Sequence, residues 1–208
     1  MDITAYALTD GATPVDADEA AGLLPKHIRT KEQLNQWEEE NILEAEAWAF
    51  HGKQGKSTAD EVLTEAFVRK LHLTMFNQTW SWAGKFRRSD KNIGVEFTRI
   101  AVGLNDLLEN VKTQLSYLPA QPKAQTVAMD QIAAKFHHQL VWLHPFANGN
   151  GRHARLMTDV LLHNLGATPF SWGGASLVNA TSTRSVYLDA LRAADRRDLQ
   201  PLLAFVRS

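Results

Sequence analysis

The sequence predicts an all-α domain with one short β-hairpin, and three observations carry that prediction. Apolar residues recur at three- and four-residue intervals through most of the 208-residue chain, the period of helices with one buried face. Thr30 with Gln33, and Thr58 with Glu61, have the spacing of capping boxes that open helices. The one segment that breaks the period, Trp80 to Gly103, gathers β-branched and aromatic residues around Asp90, Asn92 and Gly94, as a hairpin flap does.

In chain order, residues 2–24 are polar, aperiodic and contain Gly and Ala. Residues 1–30 are therefore assigned to an extended N-terminal arm and 31–208 to a single domain. A helix of about 31–50 follows the first box and carries Leu34, Trp37, Ile42, Ala45 and Trp48. HGKQGKS (51–57) is a loop, and the second box opens a helix with Leu63, Phe67, Leu71 and Met75 at i+4 spacing. After the flap the period returns at Leu104, Leu107, Leu108, Val111 and Leu115, and Pro119 and Pro122 punctuate it. A helix of about 124–143 shows Val127, Ile132, Phe136, Leu140 and Leu143, and after an interruption Leu156, Val160 and Leu161 continue in another. Two closing helices are expected at about 183–195 and 199–206. The six tryptophans fall mostly on core positions.

Composition excludes several classes. The chain has no cysteine, which removes a disulfide scaffold, a thiol nucleophile and any thiolate zinc site. The first residues show neither the basic region nor the apolar run of a signal peptide. The longest uncharged stretch, Val160 to Thr183, is broken by Gly166, Pro169, Gly173 and Gly174, unlike the ~20 apolar residues of a membrane span. A cytoplasmic protein without membrane contact is expected. Residues 1–65 carry 14 acidic and 5 basic side chains, the remainder 9 and 17. An acidic arm beside a basic body suits a phosphate-bearing ligand on the body.

The chemistry concentrates in LHPFANGNGRHARL, Leu143 to Leu156. Gly149, Asn150 and Gly151 bring backbone N–H groups to a helix N-terminus with little side-chain obstruction, a ready anion site. Arg152 and Arg155, three apart, share one face at that end, and two guanidinium forks there suit a polyphosphate. His144 precedes the loop, where a neutral imidazole can take a proton from an attacking hydroxyl.

The run His144, Pro145, Phe146, Ala147, Asn148, Gly149, Asn150, Gly151, Arg152, then Arg155, resembles the signature of the Fic/Doc (Fido) family, His-Pro-Phe-x-(Asp/Glu)-Gly-Asn-Gly-Arg-x-x-Arg. The likeness extends to the flap at 82–94 and to the closing helices at 187–206, so that the core of the domain covers about 60–206. The whole chain resembles a bacterial subgroup, mobile mystery protein B, found beside a helix-turn-helix partner. The resemblance implies a Fic-like helical domain that moves AMP from ATP to a Ser, Thr or Tyr hydroxyl of a target protein, with Mg²⁺, and in some relatives a toxin–antitoxin arrangement. His144 is then the general base, Phe146 the loop anchor, and Gly149, Asn150, Gly151, Arg152 and Arg155 the phosphate site. Lys91, Asn92, Ile93 and Gly94 of the flap would align the target chain, and Tyr187 would line the nucleotide pocket. Asn148 stands where the family holds Mg²⁺ with a carboxylate, so a different donor, weaker activity or a catalytically impaired nucleotide-binding module is the alternative. Gly151, where the phosphorylating Doc branch has Lys, favours nucleotidyl transfer. Of the family's inhibitory pattern, (Ser/Thr)-x-x-x-Glu-(Gly/Asn), only fragments are present. Ser57 with Glu61 lacks the ending, and Gln36 to Glu40-Asn41 has the ending alone, which makes Glu40 the inhibitory candidate.

Two competing readings fail. His137, His138, His144 and His153 crowd together without HExxH or paired carboxylates, so no metal cluster is expected. Trp80 and Trp82 beside Arg87 and Arg88 have the aromatic and basic mixture of a nucleic-acid surface, but the domain is not strongly basic, and no direct nucleic-acid contact is expected.

Overall fold

The computed structural model describes residues 17–174 and 181–208. Over them the chain is helical: α1 (Ala17–Ala20), α2 (Lys31–Phe50), α3 (Ala59–Val62), α4 (Glu65–Phe76), α5 (Ile100–Ser116), α6 (Pro122–Leu143), α7 (Asn150–Asn164), α8 (Thr181–Asp195) and α9 (Gln200–Val206). Both capping boxes form. Thr30 Oγ1 accepts from Gln33 N at 3.2 Å while Gln33 Oε1 accepts from Thr30 N at 3.1 Å, satisfying two donors that a helix start leaves open.

The second box opens less than the expected helix. α3 lasts one turn, Leu63 turns out of it at ψ 56°, and Thr64 caps a new helix by accepting from Phe67 N at 3.2 Å. The break lets Val62 and Leu63 both reach full burial. Pro122 opens α6 rather than ending the segment before it, because the first helical position needs no N–H.

α6 and α7 lie at the centre. One buried cluster joins them to α2, α4 and α5, with Phe76, Phe136, Leu140 and Met157 nearly inaccessible, and a second joins them to α8 and α9 around Tyr187, Leu202 and Phe205. The motif loop is the connection between these two helices and is therefore held from both clusters. Trp142 departs from the core expectation at 58% exposed.

The N-terminal arm, from residue 17 onward, is docked. Leu23 makes an antiparallel bridge with Trp80, Leu24 N donates to Thr79 O and Ser81 N to Gly22 O, both at 2.9 Å. The flap is non-helical over 80–96, short of the predicted end at Gly103 because α5 already starts at Ile100, and among the described residues it pairs only through isolated bridges, Trp80 with Leu23 and Phe86 with Phe146. Two of its carbonyls, those of Ser89 and Val95, are taken by one side chain, Arg87, and that of Gly84 by Arg69, in place of a hairpin ladder.

Candidate functional site

The loop between α6 and α7 begins and ends in the left-handed region, His144 at φ 52° and Gly149 at φ 78°. A side chain at Gly149 would meet the Phe76 ring at 2.6 Å, so the position needs glycine for both conformation and space. Three struts fix what lies between. Asn150 brackets Phe146, accepting from its N–H at 2.9 Å and donating to its C=O at 2.8 Å. Its side chain is thus turned into the loop, and only its backbone N–H remains at the helix start. His72 accepts from Gly84 N at 3.0 Å through Nδ1, which leaves the proton on Nε2 to be donated to Asn148 O at 3.1 Å. The same ring stacks on Phe146 with centroids 3.7 Å apart. Arg87, its side chain inaccessible, donates through Nε to His144 O at 2.7 Å and to Ser89 O and Val95 O, while its N–H reaches Pro145 O at 3.0 Å. One guanidinium therefore ties flap and loop together.

His144 is 4% exposed. Burial, then the positive charge of Arg87, lowers its pKa to about 4, while a hydrogen bond to the Val141 backbone works the other way. The imidazole is neutral at pH 7 and able to accept a proton. The flap closes over it: a Cβ on Gly94 would stand 2.6 Å from the His144 Cβ. Asn92, Ile93 and Gly94 are exposed, but Lys91 is not open to a target chain. Its side chain is 2% exposed and paired with Glu19 of the arm at 2.6 Å.

α7 starts with no intrahelical partner for the N–H groups of Asn150, Gly151 and Arg152; the first such bond is His153 N to Gly149 O at 2.9 Å. Beside this end opens a cleft of about 220 Å³, lined by Arg152 and Arg155 and, opposite them, by Glu39 and Glu46 of α2, with Asp159 and Trp172 at one side. Arg152 is held from behind by Glu38, Nη1 to Oε2 2.7 Å, whose other oxygen accepts from Trp80 Nε1 at 2.7 Å. Arg155 lies over the Tyr187 ring and hydrogen-bonds its hydroxyl, and that hydroxyl also meets His137 Nε2 at 2.9 Å. Tyr187, 5% exposed, therefore backs Arg155 rather than lining an open pocket. Burial raises the Asp159 carboxyl to about 7 against hydrogen bonds from Trp172 and Phe170 and the charge of Arg155.

Glu40 is corrected. It is exposed and makes no ion pair with either arginine among the described residues. Two positions along a helix is more than half a turn, so Glu38 meets Arg152 and Glu40 faces away. The sequence reading also missed His72 and Arg87. His72 stands four residues from both Val68 and Phe76 on the buried stripe of α4, the one available signal; Arg87 gives none.

The donor set does not fit a protein-held Mg²⁺. Asn148 Oδ1 is neutral and accepts from Gly149 N at 2.6 Å, and its carbonyl takes His72. Among the described residues no group of three His, Asp or Glu is arranged to hold a metal, whereas Mg²⁺ favours carboxylate oxygens.

Four histidines, 72, 137, 144 and 153, are buried with pKa values lowered by that burial, to about 3 at His137 and about 4 at His153. As pH falls from about 6.5 towards 4 the unfolded chain binds protons that the native chain refuses, so stability falls by about 1.4 kcal/mol per pH unit per histidine. Asp159 opposes this with one proton, because its native pKa is the higher one. The urea midpoint at pH 5 is expected well below that at pH 7; equal midpoints would contradict the burial of these rings.

The helical domain presents a buried histidine, a left-handed loop and two arginines at one helix N-terminus. Residues 62–162 match the model of the Fic/DOC family. The chain is 33% identical over 126 residues to the protein adenylyltransferase fic-1 of Caenorhabditis briggsae, covering 60% of this chain and 22% of that protein. To fic-1 of Caenorhabditis elegans it is 30% identical over 149 residues, covering 71% and 27%. The chain thus spans about a quarter of the length of these curated relatives. Among solved structures, the N-terminal Fic domain of a putative cell filamentation protein from Bartonella quintana superposes with TM-score 0.64 at 19% identity, covering 88% of this chain and 84% of that one. BepC from Bartonella tribocorum with bound AMPPNP gives 0.64 at 17%, covering 88% and 89%. Among the described residues no helix is long and apolar enough to cross a membrane.

Proposed function

We propose that the cleft takes the polyphosphate of ATP and that the domain transfers AMP to a hydroxyl of a protein target. The observation that carries this reading is one loop with a buried His144 at its start and, past Gly149 at its end, a helix that presents Arg152 and Arg155 to a cleft. The target hydroxyl gives its proton to the His144 imidazole and its oxygen attacks the α-phosphorus. The bond from that phosphorus to the bridging oxygen breaks, and pyrophosphate leaves. Arg152, Arg155 and the N–H groups of Asn150, Gly151 and Arg152 meet the charge on the phosphates, Gly149 N being taken by Asn148 Oδ1, so catalysis is mainly positioning and charge stabilisation. The target chain lies along the exposed Asn92–Gly94 stretch of the flap.

Arg152→Lys tests the phosphate site. It keeps the charge beside Glu38, so the buried carboxylate is not stranded, but loses the bidentate fork. ATP affinity measured by calorimetry is expected to fall about tenfold, which corresponds to about 1.4 kcal/mol. Unchanged affinity would remove Arg152 from the site.

Asn148 favours one second reading, a nucleotide-binding module without transferase activity. It predicts ATP binding with no covalent product, and a labelled adduct on any protein would remove it. To this reading belong a cytoplasmic location, expected from composition, a toxin-like role, expected from some family relatives, and a helix-turn-helix partner, expected from the subgroup resemblance; co-purification of the two expressed proteins tests the partner.

A further inference from the structure

The loop that meets the phosphates has already spent the groups that would hold a cation. Asn148 offers one neutral side-chain oxygen, and that oxygen accepts from Gly149 N at 2.6 Å. Its backbone oxygen accepts from His72, a ring locked in turn by Gly84 N. Asn150 uses both side-chain atoms on the Phe146 backbone. The carboxylate nearest in structure to Arg152, Glu38, is 4% exposed and committed to Arg152 and Trp80. What the site does present to an anion is positive: two guanidinium groups and a helix start with roughly half an elementary charge.

We infer that this domain binds its nucleotide without a protein-held divalent cation, the phosphates being met by Arg152, Arg155 and the N-terminus of α7 alone. The inference rests on the reading of the cleft as a nucleotide site. Glu39 and Glu46 of α2 line the same cleft and disfavour a highly charged ligand, but among the described residues they are not grouped with a third carboxylate or imidazole able to hold a metal. They cannot replace an anionic ligand in the metal's own shell. Affinity for nucleotide and affinity for metal are coupled reciprocally, so a site without such a ligand gains little from the ion.

The test is calorimetric titration of the full chain with ATP, and separately with ADP, in excess Mg²⁺ and in EDTA. For the wild-type protein the two dissociation constants are expected to agree within about threefold. Asn148→Asp keeps an acceptor for Gly149 N and adds an anionic oxygen in the same volume. In that variant Mg²⁺ is expected to tighten ATP binding by about tenfold or more, with thermal melting showing that it folds. Tightening of about tenfold or more by Mg²⁺ in the wild type would overturn the inference, as would an Asn148→Asp protein that folds, binds ATP and gains nothing from Mg²⁺. A wild-type protein that binds neither nucleotide in either buffer would instead overturn the nucleotide-site reading, and the inference with it.

Discussion

His144→Asn is expected to lower AMP transfer by two to four orders of magnitude, roughly the contribution of a positioned general base, while the protein stays folded. Asparagine is the informative replacement because residue 144 sits at φ 52°. Among non-glycine residues asparagine tolerates the left-handed region well, whereas alanine there adds a conformational cost of about 1 kcal/mol or more. The strut from Arg87 survives, since it reaches the backbone oxygen of residue 144 and not the ring. What is lost is the proton acceptor, together with the ring's hydrogen bond to the Val141 backbone. The pH profile of the wild type carries a second signature. With the imidazole lowered to about 4, activity is retained on acidification past the ordinary histidine range and falls through about pH 4, provided the fold persists. A limb at about 6.5 would mean that the ring is solvated during turnover, with the flap lifted away.

Asn150→Ala is expected to destabilise the domain by about 2–5 kcal/mol, the sum of two buried backbone groups left without partners. The donor and acceptor of Phe146 are both satisfied by that one side chain, and Phe146 is fully buried against His72 and His153. Asn150→Asp separates the two bonds: it keeps the acceptor for Phe146 N–H and loses the donor to Phe146 C=O, so a smaller loss is expected. Denaturant midpoints for the three proteins check this ordering. A change below about 0.5 kcal/mol for alanine, typical of surface sites, would show that the loop is held by other means.

Local chemistry was legible in the sequence and long-range chemistry was not. The capping boxes at Thr30 and Thr58, the helix start at Gly149 to Gly151 and the two arginines three apart are short-range patterns with a fixed geometry, and the structure has them. The turn at Leu63 was hidden because Thr64 restarts the helix within the same apolar stripe, leaving the i+4 spacing intact. The flap looked like a hairpin because its composition suits strands. The carbonyls of Ser89 and Val95 are satisfied by Arg87, a side-chain solution that leaves no periodic trace. The same limit separated Glu40 from Glu38. The sequence pattern selects by neighbours in the chain, while the Glu38–Arg152 pair spans 114 residues and the His72–Asn148 contact 76. Asn148 was legible as a departure from the family signature; that its oxygen is already engaged by Gly149 was not.

The central claim, AMP transfer with His144 as base, is tested most directly by label transfer. Purified protein and cell lysate are incubated with ATP labelled on the α- or the γ-phosphate, in Mg²⁺ and in EDTA, with His144→Asn alongside. The account predicts protein labelling from the α-phosphate alone, absent in the variant. Labelling from the γ-phosphate alone would make the domain a kinase and contradict the reading of Gly151, and α-labelling that persists in His144→Asn would remove His144 as the base.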